Sequence, residues 1–333
     1  MKPIIHLALA SLLVTAMAPI ARAEDRPVLT VLTYDSFAAE WGPGPAIEKG
    51  FEASCACDLQ FVTAGDGAAV LARLKLEGAD TAADVVLGLD TNLTADARAS
   101  GLIAPHGLQL ANYLPVPFDD SRFVPFDWGW FAFVYDKTRV ATPPASFRDL
   151  AASNLKVVIE DPRSSTPGLG LLLWVKKAYG DQAAQVWADL ADNIVTVTPG
   201  WDQAYGLFLK GEADMVLSYT TSPAYHLIAE GDASKAAAAF SEGHYLQIEV
   251  AGLVASSSHM ELGKSFLSYL AGDEAQAILP TTNWMYPAKT PAAGLPKGFE
   301  TLIRPATSLL YPEDEAQALR QAAVQEWQAA LGQ

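Results

Sequence analysis

The residues with the most distinctive chemistry are aromatics at loop positions. Tyr34 and Trp41 flank a strand-to-helix loop, Trp201 follows Pro199-Gly200, and Tyr219 ends a strand. Tyr225 comes shortly after, and Trp284 stands within Thr-Asn-Trp-Met-Tyr-Pro. Aromatic faces stack on heteroaromatic rings and attract cations, at about 0.5–2 kcal/mol each. Taken singly, each is more readily a core or hinge aromatic. Convergence in one cleft would make them a wall for a cationic ring.

Two segments have the makings of anion cradles. Asp161-Pro-Arg-Ser-Ser-Thr-Pro-Gly-Leu-Gly170 follows a strand and opens a helix, with Pro167 near its first position. Free backbone N–H groups there, with the hydroxyls of Ser164, Ser165 and Thr166, can hold a phosphate. Ordinary helix capping explains the same residues equally well. Asp66-Gly67 offers backbone donors at another helix start. Neither segment is a Walker loop, because no Gly-Lys-Ser/Thr follows.

Catalytic sets are hard to assemble. His106, His226, His244 and His259 show no metal-ligand spacing. Ser165 lacks a Gly-x-Ser-x-Gly elbow. Cys55-Ala-Cys57 lies beyond a helix and before a strand, whereas cleft loops belong at strand C-termini. A disulfide and a free pair both stay open, since export favours oxidation but the ring would be tight. No catalytic residue, metal or cofactor is expected.

The positioning elements read as alternating strands and helices. Strand-like segments are Val28–Tyr34, Leu59–Thr63, Asp84–Leu89, Phe131–Tyr135, Leu155–Glu160, Ala213–Tyr219 and Gln247–Ala255. Helical patterns run to about Ser54, from Asp66 to about Leu76, over 168–179, 181–192, 202–210 and 260–279, and from Glu313 to Leu331. This is an α/β chain with a mostly parallel sheet and binding loops at strand C-termini.

Residues 1–23 read as an export leader: Lys2, an apolar run over Ile4–Val14, and Ala21-Arg22-Ala23 as a cleavage site. No later run is apolar for about 20 residues, so direct membrane insertion is not expected. The net charge of −16 excludes nucleic acid as a natural partner and suits cations, although solubility alone can account for it. The length suits two lobes. Their expected extents are 24–125 and 246–333 for one lobe, the latter with C-terminal helices, and 126–245 for the other.

Several long strings resemble those of bacterial periplasmic thiamine-binding proteins. They are Tyr34-Asp-Ser-Phe-Ala-Ala-Glu-Trp-Gly-Pro-Gly-Pro45, Asp84-Val-Val-Leu-Gly-Leu-Asp90 and the run from Asp161 to Trp174. Ala204–Gly211, Leu217–Tyr225, Ser241–Tyr245 and Asn283–Pro287 match as well, in order, from about residue 27 to the C-terminus. The resemblance implies a two-lobed class II periplasmic-binding-protein fold with a ligand cleft between the lobes. It implies thiamine and its mono- and diphosphates as ligands and an inner-membrane ABC permease as partner. Tyr34, Trp41, Tyr225 and Trp284 would line the ring-binding part. Asp66, Gly67, Ser165, Thr166 and Trp201 would hold the ligand, hydroxyls and backbone groups facing phosphate. Tyr219, Thr220, Thr221 and Ser222 complete the implied contacts. The same fold admits two rivals, a thiamine-degrading transferase and a ferric-ion binder using Tyr219 and Tyr225.

Overall fold

The structure, a computed structural model, describes residues 26–332; the predicted leader lies outside the described residues. In chain order the strands are β1 (Val28–Thr33), β2 (Asp58–Thr63), β3 (Val85–Asp90), β4 (Ile103–Ala104), β5 (Phe123–Asp136) and β6 (Val157–Glu160). They continue as β7 (Ile194–Thr198), β8 (Met215–Tyr219), β9 (Lys235–Ala237), β10 (His244–Val254), β11 (Tyr286–Pro287) and β12 (Ser308–Leu309). The helices are α1 (Asp35–Ala38), α2 (Gly44–Cys55), α3 (Gly67–Glu77), α4 (Thr94–Ala99), α5 (Phe147–Ala151) and α6 (Thr166–Tyr179). After them come α7 (Ala183–Leu190), α8 (Trp201–Leu209), α9 (Pro223–Tyr225), α10 (Met260–Leu270), α11 (Asp273–Thr282) and α12 (Glu313–Leu331).

The main strand order is β2-β1-β3-β10-β5-β8-β6-β7. β1, β2 and β3 are parallel, as are β6, β7 and β8. Between these blocks, β10 and β5 run antiparallel to their neighbours. β5 is the shared strand: Phe123–Trp130 pairs with β10, and Phe131–Tyr135 pairs with β8. The two sheets therefore form two lobes joined along continuous backbone. Such a joint bends at few dihedrals and keeps each lobe rigid.

The local reasons are legible. β3 and β6 are buried along their whole length because helices cover both faces, so they read as unbroken apolar runs. Asp66 caps α3 through the Gly67 N–H at 2.7 Å, and Ser165 caps α6 through the Gly168 N–H at 3.4 Å. α12 links the lobes through two ion pairs, Glu313 with Arg98 at 2.9 Å and Glu326 with Lys176 at 2.8 Å.

Three departures from the sequence reading have physical causes. β5 begins eight residues before the expected Phe131, since Pro125 and Gly129 disguise a strand that is bulged beside Pro125. The helical stretch at 260–279 is two helices, broken at Ala271-Gly272. β7 was not anticipated, because its middle residues Val195 and Thr196 are exposed at the sheet edge and supply no buried pattern.

Cys55 and Cys57 form a disulfide with Cα atoms 5.2 Å apart. It lies at the start of β2, the sheet edge opposite the strand C-termini. So short a ring removes little entropy from the unfolded chain. Reduction is expected to cost at most about 2 kcal/mol, which denaturant melts with and without reductant would measure.

Candidate functional site

The C-terminal ends of β1 and β3 and the N-termini of α3, α6 and α8 meet between the lobes. Here lies a cavity of about 330 Å³. Of the residues expected from sequence, Tyr34, Trp41, Asp66, Trp201, Tyr219, Ser222, Tyr225 and Trp284 line it. The other five stand behind the wall: Gly67, Ser165, Thr166, Thr220 and Thr221 are buried. Thr221 turns its hydroxyl to Met285 Sδ at 3.6 Å, and the Thr220 N–H donates to the Trp130 carbonyl at 2.9 Å.

One wall is aromatic. Trp201 stacks on Tyr205 with centroids 5.0 Å apart, and Trp41 of the other lobe tilts against Trp201 at 6.4 Å. Tyr225 and Trp284, again from opposite lobes, meet edge to face at 5.4 Å. Trp284 takes φ +57°, a left-handed conformation unusual for a bulky residue. Its N–H still bonds the Leu279 carbonyl at the end of α11. Strain of this kind is held where surrounding structure fixes it, commonly at binding sites. Trp41 is the exposed member, 53% accessible at the rim.

Tyr205 escaped the sequence reading because it sits one turn inside α8, where an aromatic reads as core. Its hydroxyl is 2.9 Å from His226 Nε2, and His226 Nδ1 is 2.6 Å from Glu230. His226, Glu230 and Asp232 converge closely enough to suggest a metal site. However, both imidazole nitrogens of His226 already have protein partners, so the group braces Tyr205.

The inferred anion cradle is assembled, but around the chain's own carboxylate. Asp66 accepts from Gly67 N–H at 2.7 Å, Ser165 Oγ at 2.8 Å and Trp201 N–H at 3.3 Å. Two of these donors come from the opposite lobe, so Asp66 also joins the lobes, beside a backbone bond from Ala69 to Ser164 at 3.0 Å. Burial raises the Asp66 carboxyl above its ordinary value, against the hydrogen bonds from Gly67, Ser165 and Trp201.

The floor is acidic. Glu249 on β10 lines the cavity and accepts from Tyr34 Oη at 2.9 Å. Asn283 Nδ2 donates to Asp127 at 2.6 Å and to Tyr34 Oη at 3.1 Å. Tyr219 Oη donates to Gln247 at 2.7 Å, and Gln247 Nε2 donates to Glu249 at 2.6 Å. Burial pushes the carboxyls of Glu249 and Asp127 well above their usual range, and for Glu249 the nearby Asp127 adds to the rise. Behind Asp66, Glu160 is raised by burial and then by Asp66, and neither of its oxygens has a partner. Sequence reasoning missed these acids. A charged residue inside an apolar strand, such as Glu249 in Gln-Ile-Glu-Val-Ala, was the available signal.

The two glycines of this floor are spatial necessities. A Cβ on Gly88 would stand 2.2 Å from the Tyr34 ring, and one on Gly129 2.9 Å from Met285 Cε. The arrangement suits a flat cation: rings on one side and, beneath, buried carboxyl groups without ion-pair partners among the described residues. Neither tyrosine of the iron reading offers a ready phenolate. Burial raises Tyr219 well above its ordinary value, and the hydrogen bond to Glu230 raises Tyr225.

The family profile for bacterial extracellular solute-binding proteins matches residues 39–277. The chain is 54% identical to the thiamine-binding periplasmic protein of Escherichia coli K12, over 92% of this chain and 94% of that protein. With the thiamine-binding periplasmic protein of Brucella melitensis identity is 50%, over 95% of each. A solved structure of a periplasmic thiamin binding protein superimposes with TM-score 0.91 at 52% identity, covering 96% of this chain and all of that one. This chain belongs to the bacterial extracellular solute-binding proteins and, within them, to the thiamine-binding periplasmic proteins.

Proposed function

We propose that the protein captures thiamine in the periplasm and hands it to an ATP-driven permease of the inner membrane. The observation that carries this is the pairing of an aromatic wall with a buried acidic floor in one interlobe cavity. Thiamine is an aminopyrimidine joined to a permanently cationic thiazolium ring, so it needs both surfaces. Among the described residues no helix is long and apolar enough to cross a membrane. The membrane partner would recognise the loaded, closed lobes, a role that a hinged two-lobe architecture supports.

The reading extends to thiamine phosphates. The donors that now surround Asp66 are those a phosphate would use, and a raised Asp66 carboxyl can itself donate to a phosphate oxygen. Binding without turnover is the chemistry this site supports. The only cysteines are tied in a disulfide on the far sheet edge, which removes the nucleophile a thiamine-degrading transferase would need.

Calorimetric titration of the mature protein with thiamine, its monophosphate and its diphosphate tests the proposal. Submicromolar binding with no product is expected; no binding to any of the three defeats it. Trp284→Ala and Tyr225→Ala should each weaken thiamine binding by at least about 1 kcal/mol, roughly fivefold. Wild-type affinity in both would remove these rings from the site.

A further inference from the structure

Glu249 pairs directly with Asp90 on β3 and with Asp127 on β5. Three acidic residues thus stand in one row across three adjacent antiparallel strands. Residues directly opposite in such pairs share a face, with Cβ atoms about 5 Å apart, and like charges there repel. Glu249 is the member of the row that lines the cavity, and Asp127 and Asp90 flank it on the neighbouring strands. Two residues along from Asp127, Gly129 admits Met285, and the bulged Gly88 admits Tyr34. The three acids are only 0%, 6% and 0% exposed for Asp90, Glu249 and Asp127.

Among the described residues none of the three has an ion-pair partner. Their hydrogen-bond partners are neutral: Asn92 for Asp90, Tyr34 and Gln247 for Glu249, Asn283 for Asp127. Asp127 Oδ1 has none. The other titratable groups acting on the row are Tyr219 of β8, Tyr245 of β10, Asp66 at the α3 cap and Arg320 of α12, which draws Asp90 down against its burial. Only Arg320 is cationic. A dehydrated row of like charges without a direct ion-pair partner takes up protons instead.

We propose that the Asp90–Glu249–Asp127 row is the cation-selecting element of the cleft, holding a shared proton that it surrenders to solvent when a permanently charged heteroaromatic cation enters. This rests on the thiamine reading and says how the site tells a thiazolium from a neutral ring. One carboxylic O–H breaks, the proton goes to buffer, and the carboxylate left behind faces the ligand's charge. Burial already lifts Asp90 to about 7, so exchange falls at neutral pH.

The test is titration of unesterified thiamine into the full mature protein at pH 7, in phosphate and in Tris. These buffers differ in ionisation enthalpy, so the difference in heat counts protons. Release of roughly half a proton per thiamine is expected at pH 7, with affinity tightening about tenfold between pH 6 and pH 8. Glu249→Gln should reduce both effects, and the uncharged 4-amino-5-hydroxymethylpyrimidine should bind the wild type without release. Thiamine binding with equal heats and a flat affinity would overturn the exchange and leave the thiamine reading standing. Proton uptake would place the proton on the ligand's pyrimidine and likewise overturn it. Absence of thiamine binding at every pH would instead overturn the thiamine reading itself. The wild-type measurements decide the matter even if Glu249→Gln fails to fold.

Discussion

Gly88→Ala should weaken thiamine binding by about a hundredfold, near 3 kcal/mol, and destabilise the protein by a similar amount. Two independent constraints meet at this position. Gly88 has φ +94°, where an L side chain is strained by about 1–3 kcal/mol. A methyl group there would also overlap the Tyr34 ring, at 2.2 and 2.4 Å from two of its carbons. The ring cannot simply slide away. Its edge rests on Phe37 at 5.6 Å between centroids, and its hydroxyl is tied to Glu249 and Asn283. Displacing it breaks the link between aromatic wall and acidic floor. Tyr34→Phe serves as the comparison, because it keeps the ring and loses only the hydroxyl, for about 1 kcal/mol. Titration and melting of both variants check the argument. A Gly88→Ala protein with wild-type affinity and melting temperature would show that Tyr34 is not fixed above β3.

What could be read from the sequence depended on how locally each feature is encoded. β3, the Asp66 cap and α12 were legible because burial, capping and helix periodicity leave contiguous marks. The shared strand β5 was half hidden, since Pro125 and Gly129 break the pattern its first half would show. Among site residues, loop aromatics such as Trp41, Trp201 and Trp284 stood out because a core has no evident need of them there. The Ser165-Thr166 pair reads in sequence as an anion cradle, not as the seat of Asp66. That contact joins residues 99 positions apart, and nothing local predicts it. The acidic row is harder still. Asp90, Asp127 and Glu249 become neighbours only once strand order and register are set. Asp90 alone looks like a strand-end carboxylate, and a single acid inside a strand, as Glu249 and Asp127 are, does not show which neighbours it will face.

The same row predicts an unusual pH dependence of stability. In an unfolded chain these carboxyls ionise near pH 4. In the folded protein Asp90 is lifted to about 7 by burial, and Asp127, Glu249, Asp66 and Glu160 are also raised. Between those limits the folded chain binds more protons than the unfolded one, so stability falls as pH rises. Asp90 alone corresponds to roughly 4 kcal/mol lost between about pH 4 and pH 7. Asp136 works in the opposite direction: although burial opposes it, hydrogen bonds from Lys235 and Thr138 hold its carboxyl low. Its contribution, however, is lost only below about pH 4, outside this window. Ligand-free protein should therefore melt several degrees lower at pH 8 than at pH 5. Saturating thiamine should flatten that slope, since the cation replaces the protons and its stabilisation grows as affinity tightens. Melting curves at pH 5, 6, 7 and 8, with and without thiamine, give the answer. A melting temperature that rises toward pH 8 without ligand would mean that the row is already ionised and neutralised by the protein itself. Glu249→Gln sharpens the test. It removes the central charge, so the slope should shrink while the protein at pH 8 becomes more stable than wild type and binds thiamine more weakly. A change that strengthens the fold and weakens the site would identify the row as charge kept for the ligand at the expense of stability.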